Sequence, residues 1–140
     1  MNNKLCFILD TNVLLLSVSR RTRYKYVLDR LFDGVFEIAL STEILFEYEE
    51  KLRQFYDKEI TDAIIMAFNL LPNIRKIEPD FDLLLIKDDA DDNKFVDCAF
   101  AANANGIVTN DKHFRILKNT PFPKINVMNI DQFMELLVQL

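Results

Sequence analysis

Two apolar runs that each stop at an aspartate constrain this chain more than any other feature. They are Leu5-Cys6-Phe7-Ile8-Leu9-Asp10-Thr11-Asn12 near the start and Gly106-Ile107-Val108-Thr109-Asn110-Asp111 about a hundred residues later. A continuous apolar run of about five residues that ends in polar ones reads as a parallel strand buried on both faces, and ligands gather beyond the carboxyl ends of such strands. If the two strands are neighbours, two carboxylates meet at one sheet edge. Further acids lie between them: Glu47 in a helix-like run, and the cluster Asp88, Asp89, Asp91, Asp92 and Asp97. Carboxylates brought together raise one another's pKa unless a cation neutralises them. The pieces read as parts of a divalent-metal site.

At 140 residues the chain fits one domain, 1–140, with half of its residues hydrophobic and twelve Phe to fill a core. Two glycines and four prolines are few for an all-β protein built on tight turns. Cys6 and Cys98 sit in apolar segments without metal-ligand spacing and read as core thiols in a reducing compartment. The run before Asp10 is too short for a signal peptide, and no stretch is apolar enough to span a membrane, so a soluble cytoplasmic protein is expected. The net charge of −5 argues against broad attraction to nucleic acid. It leaves a nuclease open, because acids gathered at a metal site carry much of that charge.

The first strand is expected at 4–9. Tyr24, Val27, Leu28 and Leu31 follow helical spacing within 22–32, and Gly34 closes that helix. A strand at 36–40 leads to Ser41 as N-cap of a long amphipathic helix through Tyr56, then a helix at 59–71 stopping before Pro72 and a strand at 74–77. Residues 78–91 read as a solvated loop pinned by the apolar patch 83–86. Asp91 or Asp92 caps the next helix, followed by a strand at 107–109, a short helix at 112–117, a Pro-bounded loop, a strand at 125–128 and a helix at 131–138. Alternating strands and helices imply an α/β fold with a parallel sheet covered on both faces.

Asp10 is either the N-cap of the following helix or a metal ligand, and the polar trio Asp10-Thr11-Asn12 tilts the reading toward a site. Asp111 carries the same ambiguity. Glu47 borders the core positions Ile44 and Tyr48 and can face a cleft, whereas Glu49 and Glu50 face water. Asp92 and Asp97 stand about 140° apart around a helix axis, so Asp92 would reach a cleft from the helix end and Asp97 from its side; Asn93 and Asp97 share a face. His113 is the only histidine and reads as a surface residue, which favours an oxygen site for Mg²⁺ or Mn²⁺ over zinc. No Gly-x-Ser-x-Gly turn or phosphate-cradling glycine loop is present. The basic run Arg20, Arg21, Arg23 and Lys25 opposes the dipole of the helix it begins, and reads as a solvated helix start, a phosphate contact or a partner to acids of a second subunit.

Taken in order, Asp10-Thr-Asn-Val-Leu, Ser41-Thr-Glu-Ile-Leu-Phe-Glu47-Tyr, Asp91-Asp-Asn-Lys-Phe-Val-Asp97-Cys-Ala and Ile107-Val-Thr-Asn-Asp111-Lys-His-Phe resemble the PIN domain, more narrowly the VapC-like toxin components of toxin–antitoxin systems. That resemblance implies a three-layer α/β/α sandwich around a mainly parallel sheet and a Mg²⁺- or Mn²⁺-dependent endoribonuclease. Asp10, Glu47, Asp97 and Asp111 match its acidic constellation, with Asp92 a further acid and Thr109 the polar residue before the last Asp; Asn110 stands where a glycine is frequent. Thr11, Asn12 and Thr109 would orient the ligands. The implied partners are an RNA substrate and a small antitoxin, with a homodimer expected. The alternative is a catalytically silent PIN-like module holding a structural cation or a partner peptide. A phosphoryl-accepting receiver or phosphatase would want a second Asp where Asn12 stands.

Overall fold

The computed structural model describes residues 4–86 and 90–140. Its first apolar run forms β1 (Cys6–Leu9), every residue of which is buried. β2 (Glu37–Leu40) and β3 (Ile74–Lys76) lie on one side of it, β4 (Gly106–Val108) and β5 (Val127–Met128) on the other. The order is β3-β2-β1-β4-β5 and each pairing is parallel. The chain thus builds outward from β1 in one direction, then crosses to build in the other. Between β1 and β4 the connections diverge, which opens a crevice at the carboxyl ends of those two strands. Leu9 pairs with Val108, so Asp10 and Thr109 leave the sheet side by side.

Successive β1 residues face opposite layers. Phe7 meets Phe133 of α6 (Ile130–Val138) at a ring-centroid distance of 4.8 Å. Cys6 lies toward Cys98 of α5 (Asn93–Ala102), the helix that packs on β1, β2 and β4. The remaining helices are α1 (Thr11–Val18), α2 (Lys25–Phe32), α3 (Thr42–Phe55) and α4 (Lys58–Leu70). The result is the expected three-layer α/β/α sandwich. Both cysteines are free and buried, and burial pushes the Cys98 thiol up to about 12. Among the described residues, no helix is long and apolar enough to cross a membrane.

Local rules account for the element ends. Gly34, at φ +78°, ends α2 as expected: Val35 N–H bonds to the Arg30 carbonyl and Gly34 N–H to that of Leu31, a Schellman closure that requires a left-handed residue. The Ser41 hydroxyl caps α3 by accepting from Ile44 N–H.

Helix α1 starts directly after Asp10, as the N-cap reading of that residue supposed, although Leu14-Leu15-Leu16 blurs its polar side and no periodicity marks its extent. Three readings need correction. The helix expected at 22–32 begins only at Lys25. The helix expected at 112–117 is a 3₁₀ helix, Lys112–Asn119. The segment before α5 is held more firmly than a solvated loop would be: Ile86 is buried, its N–H and C=O are both bonded by the Asn93 amide at 2.8 Å, and Leu83 N–H donates to Asp97 at 2.9 Å. Asp88 and Asp89 lie outside the described residues.

Candidate metal centre

The crevice between β1 and β4 gathers the first group of acids. Asp10 is buried, yet its side chain makes no capping bond to the turn of α1 that follows. Instead Asp10 Oδ2 accepts from the Thr109 hydroxyl at 2.7 Å, and the same hydroxyl accepts Asp111 N–H at 3.0 Å. One threonine therefore couples the two strand ends. Burial raises the Asp10 pKa; the bonds from Thr109 and the Thr11 amide oppose this, while Asp111 and Glu47 add to it. A buried carboxylate with two acids facing it is a place where added positive charge is stabilising.

Asp111 caps the 3₁₀ helix through His113 N–H at 2.9 Å, so the capping reading of this residue is also realised. That cap turns His113 back toward the strand ends. Asp92, Asp111 and His113 can each offer one ligand atom with all three within 4.8 Å of one another. His113 Nδ1 is buried 3.4 Å from Asp111 Oδ1, with no hydrogen bond formed to it among the described residues. The structure thus brings the histidine to the crevice; its position two residues after a capping aspartate was the signal in the sequence.

Glu47 reaches the crevice from α3. The Tyr48 hydroxyl donates to the Leu9 carbonyl, which locks α3 against the end of β1. Glu47 accepts from the Thr11 hydroxyl and forms an ion pair with Lys94 at 2.8 Å. The Lys94 side chain is only 4% exposed and also meets the Asp91 carboxylate at 3.0 Å and its carbonyl at 2.7 Å. Burial works against the Lys94 ammonium, but Glu47 and Asp91 outweigh it and hold the pKa up. Sequence reasoning passed over Lys94, because a lysine in the first turn of a helix looks solvated.

Asp97 is directed elsewhere. Its carboxylate holds Leu83 N–H and lines a cavity of about 130 Å³ with Ser41, Glu43, Glu78, Asp82 and Lys94, the lysine that pairs with Glu47. Burial raises its pKa, Leu83 N–H lowers it, and Asp82 and Glu43 raise it further. Asn93 and Asp97 do share a face, as helical geometry requires, and both use it to clamp the 83–86 segment. Asn12 is exposed. Arg23 pairs with Asp131 of α6, and Arg20 and Arg21 border an apolar groove of about 720 Å³ lined by Leu28, Phe32, Phe55 and Ile60.

The chain belongs to the PIN domain family, whose model matches residues 7–113. PIN domains are generally nucleases, and these nucleases typically use divalent metals. No curated protein matches the sequence. Among solved structures, VapBC2 from Rickettsia felis bound to a DNA fragment from their promoter is similar at 18% identity and TM-score 0.58, covering 89% of this chain and 98% of that one. VapBC-1 from nontypeable Haemophilus influenzae is similar at 15% identity and TM-score 0.58, covering 91% and 99%. The PIN domain of T. brucei RRP44 is similar at 14% identity and TM-score 0.52, covering 97% and 83%. At these identities the likeness is one of fold.

Proposed function

We propose that this protein is a divalent-metal-dependent endoribonuclease, the toxin of a toxin–antitoxin pair. The carrying observation is the crevice itself: Thr109 joins the Asp10 carboxylate to the Asp111 backbone across two adjacent strand ends, and Asp92 and His113 each offer a ligand atom within 4.8 Å of that of Asp111. The donor set fits Mg²⁺ or Mn²⁺, since it is dominated by carboxylate oxygens and contains no thiolate. Asp10, Asp92 and Asp111 would hold the ion, with His113 as a further donor and Glu47 facing it. Such an ion lowers the pKa of a bound water and stabilises charge on a phosphate oxygen.

The protein's own groups divide the remaining work. The Thr109 hydroxyl orients Asp10 by donating to Oδ2, leaving Oδ1 for the crevice. Thr11 and Lys94 fix the Glu47 carboxylate in place, where it would orient an attacking water. Asp97 acts at one remove, by fixing Leu83 and hence the segment that leads into Asp92.

A protein partner follows from the toxin reading and from the VapBC likeness. A small antitoxin that occludes the acidic crevice would silence the enzyme. The apolar groove rimmed by Arg20 and Arg21 offers a second contact for it. The ammonium of Lys94 on Glu47 favours one competing reading, a silent module whose charge is already balanced from within. Cleavage of single-stranded RNA separates the two. Wild type should cut with Mg²⁺ or Mn²⁺ and stop in EDTA, and Asp10→Asn should lose at least 100-fold; RNA binding without turnover at any Mn²⁺ concentration supports the silent module instead.

A further inference from the structure

The 3₁₀ helix that follows Asp111 has a consequence that an α-helix would not. At 3.0 residues per turn, side chains three apart eclipse one another along one line, rather than drifting around the axis. The segment Lys112-His113-Phe114-Arg115-Ile116-Leu117-Lys118-Asn119 therefore sorts into rows. Phe114 and Leu117 form the buried row. Lys112, Arg115 and Lys118 form an exposed row, with steps of about 6 Å at a rise of about 2.0 Å per residue.

That row lines a cavity of about 260 Å³ whose walls also include Asp111, Asn129 and Gln132. Asp111 is its only acid, and it sits at the end nearest the candidate metal centre. Asn129 and Gln132 form the capping box of α6, so the positive end of that helix faces the same space. A second, open cavity of about 700 Å³ shares Lys118 and Val127 with the first and adds Lys124. Among the described residues, none of Lys112, Arg115, Lys118 or Lys124 lies in an ion pair. In a chain of net charge −5, four cations line two adjoining cavities, the first of which includes Asp111 of the acidic crevice.

We propose that this row is a track for the phosphates of a single nucleic-acid strand, with Lys112 nearest the scissile position and Arg115, Lys118 and Lys124 on successive phosphates leading away. The inference rests on the nuclease reading of the crevice. The even spacing resembles the step between phosphates of an extended strand, and the absence of aromatic lining makes the contact one of charge rather than of base identity. A single strand thus crosses the metal centre in a fixed direction, held on one side by the 3₁₀ row.

The test measures binding of a labelled 12-nucleotide oligouridylate in EDTA, where no turnover occurs, over a range of salt. Replacing three phosphate contacts should lower the salt slope by about 2, at roughly 0.7 per contact for a single strand. The triple variant Lys112→Gln, Arg115→Gln, Lys118→Gln is expected to show that loss and at least tenfold weaker binding at low salt. The Arg20→Gln, Arg21→Gln, Lys25→Gln variant should match wild type. The first triple variant should keep the wild-type circular-dichroism spectrum, so that lost binding is not lost folding. An unchanged slope in that variant, or a loss seen only in the Arg20 variant, overturns the track even if wild type cleaves RNA. Unchanged oligouridylate binding with lost binding of polyglutamate also overturns it, in favour of an acidic protein segment. Absence of metal-dependent cleavage by wild type would instead mark failure of the nuclease reading itself.

Discussion

Asp10 shows how a single residue can be read one way in sequence and another in space. A strand-end aspartate followed by helix is a natural N-cap, and here the helix is present while the cap bond is not. The side chain is held ready by Thr109 at a cost in stability, because burial and the facing acids raise its pKa in the folded state. An acid with a raised folded pKa adds stability that is complete below its ordinary value of 3.8 and lost as pH rises through the higher folded value. Asp10→Asn should therefore melt above wild type at pH 7 in EDTA, with the gap closing as pH falls through the raised folded value and gone below 3.8. Thermal melts at both pH values check this, and a lower melting point for the variant at pH 7 would contradict it. Asp10, Glu47 and Asp111 were legible because position along a strand or helix sets their direction. Lys94 was not, because its pairing with Glu47 depends on a distant element; His113 carried only a local signal, its place two residues after Asp111, and its approach to Asp92 comes from the fold.

Among the elements, α5 and the segment before it form one unit. The residue pair Asn93 and Asp97 was readable as a shared face, but what that face would touch was not; a loop without periodicity leaves no trace of its docking. Asn93 closes two bonds on the buried backbone of Ile86, so Asn93→Ala leaves both a donor and an acceptor unsatisfied. The expected loss is about 2–3 kcal/mol in urea denaturation, with faster amide exchange at Leu83 and Ile86. Exchange unchanged at those two amides would show that the clamp does not hold the segment. The same limit explains the 3₁₀ helix. Apolar positions Phe114 and Leu117 are compatible with either 3.0 or 3.6 residues per turn over so short a run, and only the fold decides between them. That difference determines whether the three cations form a row or a spiral.

For the molecule as a whole, parallel strands and alternating helices were readable because buried strands are apolar throughout and amphipathic helices are periodic. Strand order was not, since nothing local states that β4 returns to the open side of β1. That return creates the crevice, and it joins a −5 chain's acids into one centre while leaving a cationic groove beside it. This centre, built on Asp10, Asp92 and Asp111 and excluding Asp97, should bind a divalent ion. Titration with Mn²⁺, followed by loss of the free-ion electron paramagnetic resonance signal, measures it directly in wild type, Asp10→Asn, Asp92→Asn and Asp97→Asn. Saturable binding in wild type and in Asp97→Asn, weakened at least tenfold in the other two, is the predicted result; no saturable binding in wild type, or weakening in Asp97→Asn with Asp92→Asn unchanged, would contradict it.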